Sequence, residues 1–183
     1  MIDFNRLAYS DFHMHTNFCD GKDSPEDMVL SAIDKGLTSV GVCCHSITQP
    51  NAEKVSMQSE LKFKEVMQEL KVKYAHKIKV YCGIEKDLYT TESVGGFDYV
   101  IGAMHLYKVK DKYYFIDWTK QLFMQWVKEV FNGDYYAMAQ NYYSLFSDIV
   151  EKTNADIIGH IDLITKFNQD YELFDENDER YVN

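Results

Sequence analysis

Short apolar runs alternate with amphipathic segments along most of the chain. Five apolar runs predict strands at residues 7–13, 38–44, 77–84, 99–104 and 156–159. Strands that alternate with helices are typical of a parallel sheet covered by helices, either open or closed into a barrel. The pattern therefore predicts the α/β class.

The segments between these strands have helical periodicity. Ser24 and Pro25 mark a helix start, because serine caps a first turn and proline is tolerated at the first helical position. Later amphipathic stretches carry Leu61, Phe63, Val66, Met67, Leu70 and Tyr74; then Leu122, Phe123, Trp126, Val127 and Val130; then Tyr142, Leu145, Phe146, Ile149 and Val150. Trp118, Trp126, Tyr142 and Tyr143 are predicted to lie on core faces or at a helix-on-sheet seam rather than in a base-stacking platform. After Asp162 the periodicity fades into polar sequence.

Length and charge narrow the classes of function. With 183 residues the chain is predicted to be a single domain over 1–183. It has no apolar run near the about 20 residues that span a bilayer and no secretion signal, so no membrane association and a cytoplasmic location are expected. A net charge of −10 argues against binding the phosphate backbone of a nucleic acid. The four cysteines form no CxxC pair and are predicted to be reduced.

Metal-ligand residue types occur at the end of every predicted strand. A single histidine at a strand end is usually a hydrogen-bonded residue, but five of the six histidines share this position, and Glu85 joins them. The carboxyl ends of parallel strands meet at one edge of a sheet or barrel, so these side chains are expected to converge. The set consists of His13, His15, His45, Glu85, His105 and His160.

These residue types indicate chemistry with divalent metal ions. Imidazole nitrogens bind Zn, Mn or Fe, and the two carboxylate oxygens of Glu85 can bridge two ions. His13 and His15 are two residues apart, so both side chains point to the same face of an extended strand. Neighbouring divalent ions lower the pKa of a shared water and clamp phosphate oxygens. Hydrolysis of a phosphate ester is the predicted reaction.

Five motifs in the correct order resemble those of the polymerase-and-histidinol-phosphatase (PHP) family, over about residues 8 to 166. Residues 11–16 (D-F-H-M-H-T) and 19–21 (C-D-G) resemble the opening D-x-H-x-H-T and S-D-G motifs. Residues 43–46 (C-C-H-S) resemble T-D-H-S, and residues 83–85 (G-I-E) match G-x-E. Residues 101–105 (I-G-A-M-H) resemble I-G-S-x-H, and residues 159–163 (G-H-I-D-L) match G-H-x-D-L. The sequences of these motifs are most similar to those of the histidinol-phosphate phosphatase branch.

The resemblance implies hydrolysis of L-histidinol phosphate to L-histidinol and phosphate, in histidine biosynthesis, on a distorted (β/α)7 barrel. It implies two to three divalent ions (Zn, Mn or Fe), with His13 and His15 binding one ion together with a bridging Glu85. His45, His105 and His160 would bind the remaining ions, and Asp20 would complete the first loop. Within this set Glu85, His45 and His160 are the predicted catalytic residues.

The sequence departs from the family pattern in three ways. The closing S-D-x-H motif has no counterpart after Asp162, and strands six and seven are missing. The barrel is therefore predicted to be incomplete, with about five strands. The chain is predicted to be C-terminally truncated or a natural short form. Cys44 stands where aspartate is usual, either as inert packing or as a soft thiolate near the metals. The chain has only two arginines, Arg6 and Arg180, to bind phosphate. Lys166 is therefore the candidate to bind a phosphate oxygen, and the alternative is that Lys166 is a solvated surface residue.

Other functions stay open. Within the fold, the alternatives are a phosphotyrosine phosphatase or a nuclease, and outside enzymology a non-catalytic metal-binding module. Asp11 and Asp162 could each orient a ligand histidine or only cap a turn. The predicted partners are a small phosphorylated substrate and, through unpaired sheet edges, a second copy of the chain.

Overall fold

A computed structural model describes residues 9–46, 57, 59–91, 95–169 and 172–182. Seven strands lie in these residues: β1 Ser10–Met14, β2 Ser39–Val42, β3 Lys79–Asp87, β4 Tyr99–Ala103, β5 Leu106–Val109, β6 Lys112–Phe115 and β7 Ile157–Ile158. The α-helices are α1 Pro25–Asp34, α2 Glu60–Tyr74, α3 Lys120–Phe131, α4 Tyr135–Phe146, α5 Ile149–Thr153 and α6 Glu179–Val182, and a short 3-10 helix spans Leu163–Thr165. No helix in these ranges has the length and apolar character needed to cross a membrane.

Five strands form one parallel sheet in the order β1-β2-β3-β4-β7, which confirms the predicted class and the strand count of that sheet. The predicted bounds were less accurate. β3 continues to Asp87 rather than ending at residue 84, and β7 keeps two residues of the predicted four. Residues 7 and 8 of the first predicted strand lie outside the described part of the chain, as does Arg6.

The sheet curls so that its two outer strands approach each other at their carboxyl ends. In a flat sheet β1 and β7 would lie about 19 Å apart, four strand spacings. The ring of His13 in β1 nevertheless stacks on that of His160, which follows β7, with 5.6 Å between the ring centroids. The sheet is thus part of a barrel wall, with its concave face turned toward the histidines.

Tyr99 braces the concave face. From β4 its side chain crosses over β3 and β2, and its hydroxyl donates a hydrogen bond of 2.7 Å to the carbonyl of Phe12 in β1. This path is open because Gly41 and Gly83 lie beneath the ring: a Cβ at either position would meet Tyr99 at 2.4 or 2.1 Å. The brace ends one residue before His13.

A bulge in β1 shapes the same region. Asp11 pairs with Val40, but the next pair is Met14 with Val42, so β1 carries one more residue than β2 in this interval. The carboxylate of Asp11 accepts the backbone N–H of His13 at 3.0 Å, inside the bulge. Bulges re-aim side chains next to functional sites. Asp11 therefore fixes the backbone of His13, and its bond is a backbone cap rather than a contact to an imidazole.

Two apolar clusters hold this wall in place. One packs α1 and α2 against the convex face and contains Val29, Phe63, Met67 and Cys44. The other surrounds α3 and α4, where Trp126 and Tyr142 are fully buried as predicted. Burial of large apolar side chains is the main stabilising term of folding.

Several predictions for the helical half were wrong. The predicted helix carrying Tyr142 and Ile149 is two helices, because the backbone leaves the helical conformation at Asp148, whose N–H bonds to the carbonyl of Leu145 three residues back. Trp118 is 48% exposed, so it is not a core residue. The hairpin β5–β6 went unpredicted.

The polar region after Asp162 is also ordered where it is described. Phe174 is buried there, and Asn168 bonds the backbone around it. The side-chain amide of Asn168 supplies the polar partners that an apolar pattern cannot show.

Candidate metal centre

Glu85 lies at the centre of the convergence predicted from the sequence. It is 1% exposed and stands inside β3, two residues before the strand ends, rather than after it. All five histidines of the predicted set bring a ring nitrogen to its carboxylate: His160 at 2.9 Å, His45 at 3.0 Å, His13 and His15 at 3.1 Å, and His105 at 3.4 Å. The structure thus brings together six predicted ligands from five strand ends.

The two oxygens of Glu85 face different histidines. Oε1 meets His13, His105 and His160, whereas Oε2 meets His15 and His45. His13 and His15 therefore approach opposite oxygens, although both point to the same side of the sheet as their spacing predicted. A carboxylate placed between two sets of imidazoles has the arrangement of a bridging ligand.

Asp20 extends the site above Glu85. One carboxylate oxygen lies 3.5 Å from His15 Nδ1 and the other 3.4 Å from His45 Nε2. The contact with His45 is the main reason why the pKa of Asp20 falls to about 2. Asp20 thus reaches the second nitrogen of the two rings that face Oε2.

The electrostatics are those of a cluster that holds negative charge at its centre. Burial alone would raise the pKa of Glu85, but the surrounding imidazoles outweigh it and hold that pKa well below the usual value. Burial likewise opposes the charged form of His45, yet Asp20 and Glu85 raise its pKa to about 9. The pKa of His15 is also raised, against burial, by Cys19, Cys43 and Glu85.

The donor set fits divalent ions. Two imidazole nitrogens lie within 3.1 Å of Glu85 Oε2, yet this buried oxygen has no hydrogen bond of proper geometry. Ligand atoms around an ion point to a shared position between them rather than at each other. Four trios of ligand atoms, each within 4.8 Å, occur in the described residues: His13, Glu85 and His160; His15, His45 and Glu85; His13, His15 and Cys43; and His15, Cys19 and Asp20.

Asp87 is a positioning residue that the sequence reasoning missed. Its Oδ2 accepts the backbone N–H of His105 at 2.8 Å and that of Leu106 at 3.3 Å, and its Oδ1 accepts that of Tyr89 at 3.1 Å. Asp87 therefore holds the turn from which His105 projects. The available signal was its position two residues after Glu85, on the same face of the strand.

A cavity of about 280 Å³ opens beside this cluster. Its floor includes Glu85 and His45, and the end of β6 and the loop after it supply Phe115, Asp117 and Trp118 to its wall. Lys166 also lines it, with Nζ bound to the carbonyl of Asp117 at 2.8 Å. The predicted phosphate-binding lysine is thus at the cavity, half exposed and already paired.

Comparison with known domain families gives a match to the PHP domain over residues 11–183. The chain belongs to the PHP domain family. No curated protein gives a significant sequence match.

Two solved structures share the fold of this PHP domain. The histidinol phosphatase candidate of Listeria monocytogenes superposes with a TM-score of 0.72 at 21% identity, covering 89% of this chain and 70% of that one. The histidinol phosphate phosphatase of Lactococcus lactis, solved with zinc, L-histidinol and phosphate, gives 0.65 at 20% identity, covering 86% and 59%. These likenesses identify the five-stranded sheet as part of a PHP-type barrel; at such identities they show the fold and not the substrate.

Metal binding should reverse the pH dependence of stability. The pKa of His45 rises from 6.5 to about 9 in the folded, metal-free chain. A group whose pKa is higher in the folded than in the unfolded chain stabilises the fold at pH values below the unfolded-state pKa. This stabilisation is lost as the pH rises through the folded-state pKa. We therefore expect the Tm in EDTA to fall between about pH 6.5 and about pH 9.

With zinc bound, the Tm should rise over the same interval, because ions bind neutral imidazoles and compete with protons. Thermal melts in both conditions check this. A Tm in EDTA that rises with pH would contradict the assigned charge state of the cluster.

Proposed function

We propose that this PHP domain is a metal-dependent phosphomonoesterase and that L-histidinol phosphate is its substrate. The observation that carries the proposal is the buried carboxylate of Glu85 with five imidazoles around it, at the floor of a cavity. Family membership supports the phosphoesterase class, and the L-histidinol and phosphate in the Lactococcus lactis structure motivate the substrate.

Each residue of the centre has a task in this proposal. His13, His15, His45, Glu85, His105, His160 and Asp20 would hold two to three divalent ions, of Zn, Mn or Fe. Such ions supply a water of lowered pKa and neutralise charge on a phosphoryl group. Glu85 holds the histidines in one constellation through its two oxygens, and Asp87 fixes the backbone of His105. With His45 and His160 on either side of it, Glu85 forms the proposed catalytic core.

The cavity wall suits a small leaving group with a planar ring and a positive charge. Phe115 and Trp118 pack with their ring centroids 5.2 Å apart, which offers an apolar surface to an imidazole. Asp117 stands beside them and can attract an ammonium group, while Lys166 lies within reach of a phosphate oxygen once it leaves Asp117. The cavity volume of about 280 Å³ fits a small molecule better than a polymer.

A non-catalytic metal-binding module is the second candidate. It is favoured by the open sheet, whose outer strand β7 leaves Ile158 50% exposed. An exposed edge strand tends to pair with another chain, so this reading includes a homodimer through β7. Light scattering measures that association independently of activity.

Metal content together with phosphate release tests the proposal. We expect two to three ions per chain by elemental analysis and turnover of L-histidinol phosphate, with slower release from phosphotyrosine and from oligonucleotides. The net charge of −10 disfavours the polyanion. Ions bound without turnover of any phosphomonoester would favour the module, and a chain that binds no ions would contradict both.

Trp118 should contribute to substrate affinity. Trp118→Ala removes one face of the apolar wall, and we expect KM to rise about 3–10-fold, since aromatic contacts contribute about 0.5–1.5 kcal/mol. The kcat should change little because Trp118 belongs to the cavity wall and not to the proposed ligand set. Leu122→Ala, on the surface of α3 and 42% exposed, is the control. An unchanged KM in Trp118→Ala would remove Trp118 from the substrate site.

A further inference from the structure

Cys43 is turned toward the candidate metal centre. It directly follows β2 and lies two residues before His45, which forms a parallel bridge with Glu85 in β3. Its side chain is fully buried, and its Sγ lies 4.0 Å from His15 Nε2. Cys44 points the other way, into the core, with its thiol 3.6 Å from the Thr16 hydroxyl. Of the two cysteines, it is therefore Cys43 and not Cys44 that is placed to act as a thiolate near the metals.

The contact has the spacing of two ligands on one ion. In a tetrahedral zinc site, Zn–S is about 2.3 Å and Zn–N about 2.1 Å, which separates the sulfur and nitrogen by about 3.6 Å. The observed 4.0 Å differs from that by a few tenths of an ångström. A thiol is only a weak hydrogen-bond donor, so hydrogen bonding alone explains little of this arrangement.

The orientation of His15 distinguishes Cys43 from the other nearby thiol. His15 Nε2 faces both Glu85 Oε2 at 3.1 Å and Cys43, whereas Nδ1 faces Asp20 and the Cys19 thiol at 3.5 Å. His15 Nε2, the nitrogen beside Cys43, is thus also the one that faces Glu85 Oε2, the buried oxygen without a well-formed hydrogen bond. Ligation through Nε2 would leave Nδ1 directed toward Asp20 and the Cys19 thiol.

We propose that the Cys43 thiolate is a ligand of one ion of the centre, together with His13 and His15. The three side chains form one of the described trios, with ligand atoms within 4.8 Å. Binding breaks the S–H bond, forms a metal–sulfur bond and releases the proton to solvent. A soft sulfur ligand favours Zn or Fe over Mn, so Cys43 sets the metal preference of the site. The proposal rests on the metal centre of the proposed function.

Cobalt substitution tests it. The Co(II)-loaded chain should show near-ultraviolet sulfur-to-cobalt charge-transfer absorption, which disappears in Cys43→Ser and stays in Cys19→Ser, Cys44→Ser and Cys82→Ser. Cys82 is the matched control, because it is a buried cysteine in the core cluster. Cys43→Ser should also lower zinc affinity by at least the about 10–100-fold that loss of an outer-shell partner causes, with a smaller change for manganese.

The outcomes distinguish Cys43 ligation from the metal centre on which it rests. Cobalt that binds without the absorption, or an absorption that survives in Cys43→Ser, overturns Cys43 ligation and leaves the metal centre standing. A chain that binds no cobalt overturns both. If Cys43→Ser does not fold, a variant with the other three cysteines changed to serine replaces it, and loss of the absorption there overturns the proposal.

Discussion

Glu85→Gln is expected to empty the candidate metal centre and abolish the proposed phosphatase activity. The substitution keeps the size of the side chain but removes the negative charge that five imidazoles approach. It also replaces one oxygen with an amide nitrogen, which cannot bind an ion. Loss of an outer-shell partner costs about 10–100-fold in metal affinity or activity, so loss of a bridging ligand should cost more than about 100-fold. Elemental analysis and phosphate release measure both effects.

Glu26→Gln is the matched control for this variant. Glu26 accepts a hydrogen bond from the Tyr74 hydroxyl at 2.6 Å on the surface of α1, remote from the histidines. It should keep the metal content and the activity of the unaltered chain, and circular dichroism should show that both variants are folded. A Glu85→Gln protein that retains its ions would mean that the histidines and Asp20 hold them unaided, and the central role of Glu85 would be lost.

Gly83→Ala is expected to destabilise the curled sheet. Its Cβ would lie 2.1 Å from the ring of Tyr99, which must then move and give up its bond to the carbonyl of Phe12. Overpacking costs about 1–3 kcal/mol and a lost hydrogen bond about 1 kcal/mol. The free energy of unfolding should therefore fall by about 2–4 kcal/mol, which lowers Tm by about 4–16 °C in a chain of this size. Metal affinity should fall too, because the brace ends beside His13.

A double-mutant cycle identifies the cause. Gly83→Ala combined with Tyr99→Ala should cost less than the sum of the two single changes, since removing the ring removes the clash. Gly95→Ala is the control, because a Cβ there meets nothing within 4 Å and its backbone needs no left-handed conformation. Additive costs in the double variant would show that Gly83 matters for a reason other than Tyr99.

The sequence determined the fold class and predicted the side chains that gather around Glu85. Apolar runs of strand length locate the sheet because their burial drives folding, and this local signal needs no knowledge of the tertiary structure. The positions of His13, His45, His105 and His160 at strand ends were enough to predict that they converge, since the carboxyl ends of parallel strands share an edge. The motifs then identified the family.

Element ends were harder to predict. Glu85 was expected after its strand but lies within it, because pairing with β4 continues to Asp87 and Ala103. Pairing depends on a neighbour that is distant in the sequence. The break between α4 and α5 likewise depends on the backbone conformation of Asp148, which helical periodicity does not predict.

Only the tertiary structure decided which side chains face the candidate metal centre and what surrounds it. Directly after β2, Cys43 and Cys44 pack on opposite faces of the sheet, but the sequence does not say which face is concave; the curl of the sheet does. The wall of the cavity comes from Trp118 and Asp117, after a hairpin that no metal-ligand motif marks. The candidate ligands could be predicted from the sequence because each is recognised by its residue type and its position at a strand end. The curvature of the sheet and the cavity arise instead from contacts between residues far apart in the chain, such as Tyr99 with Phe12.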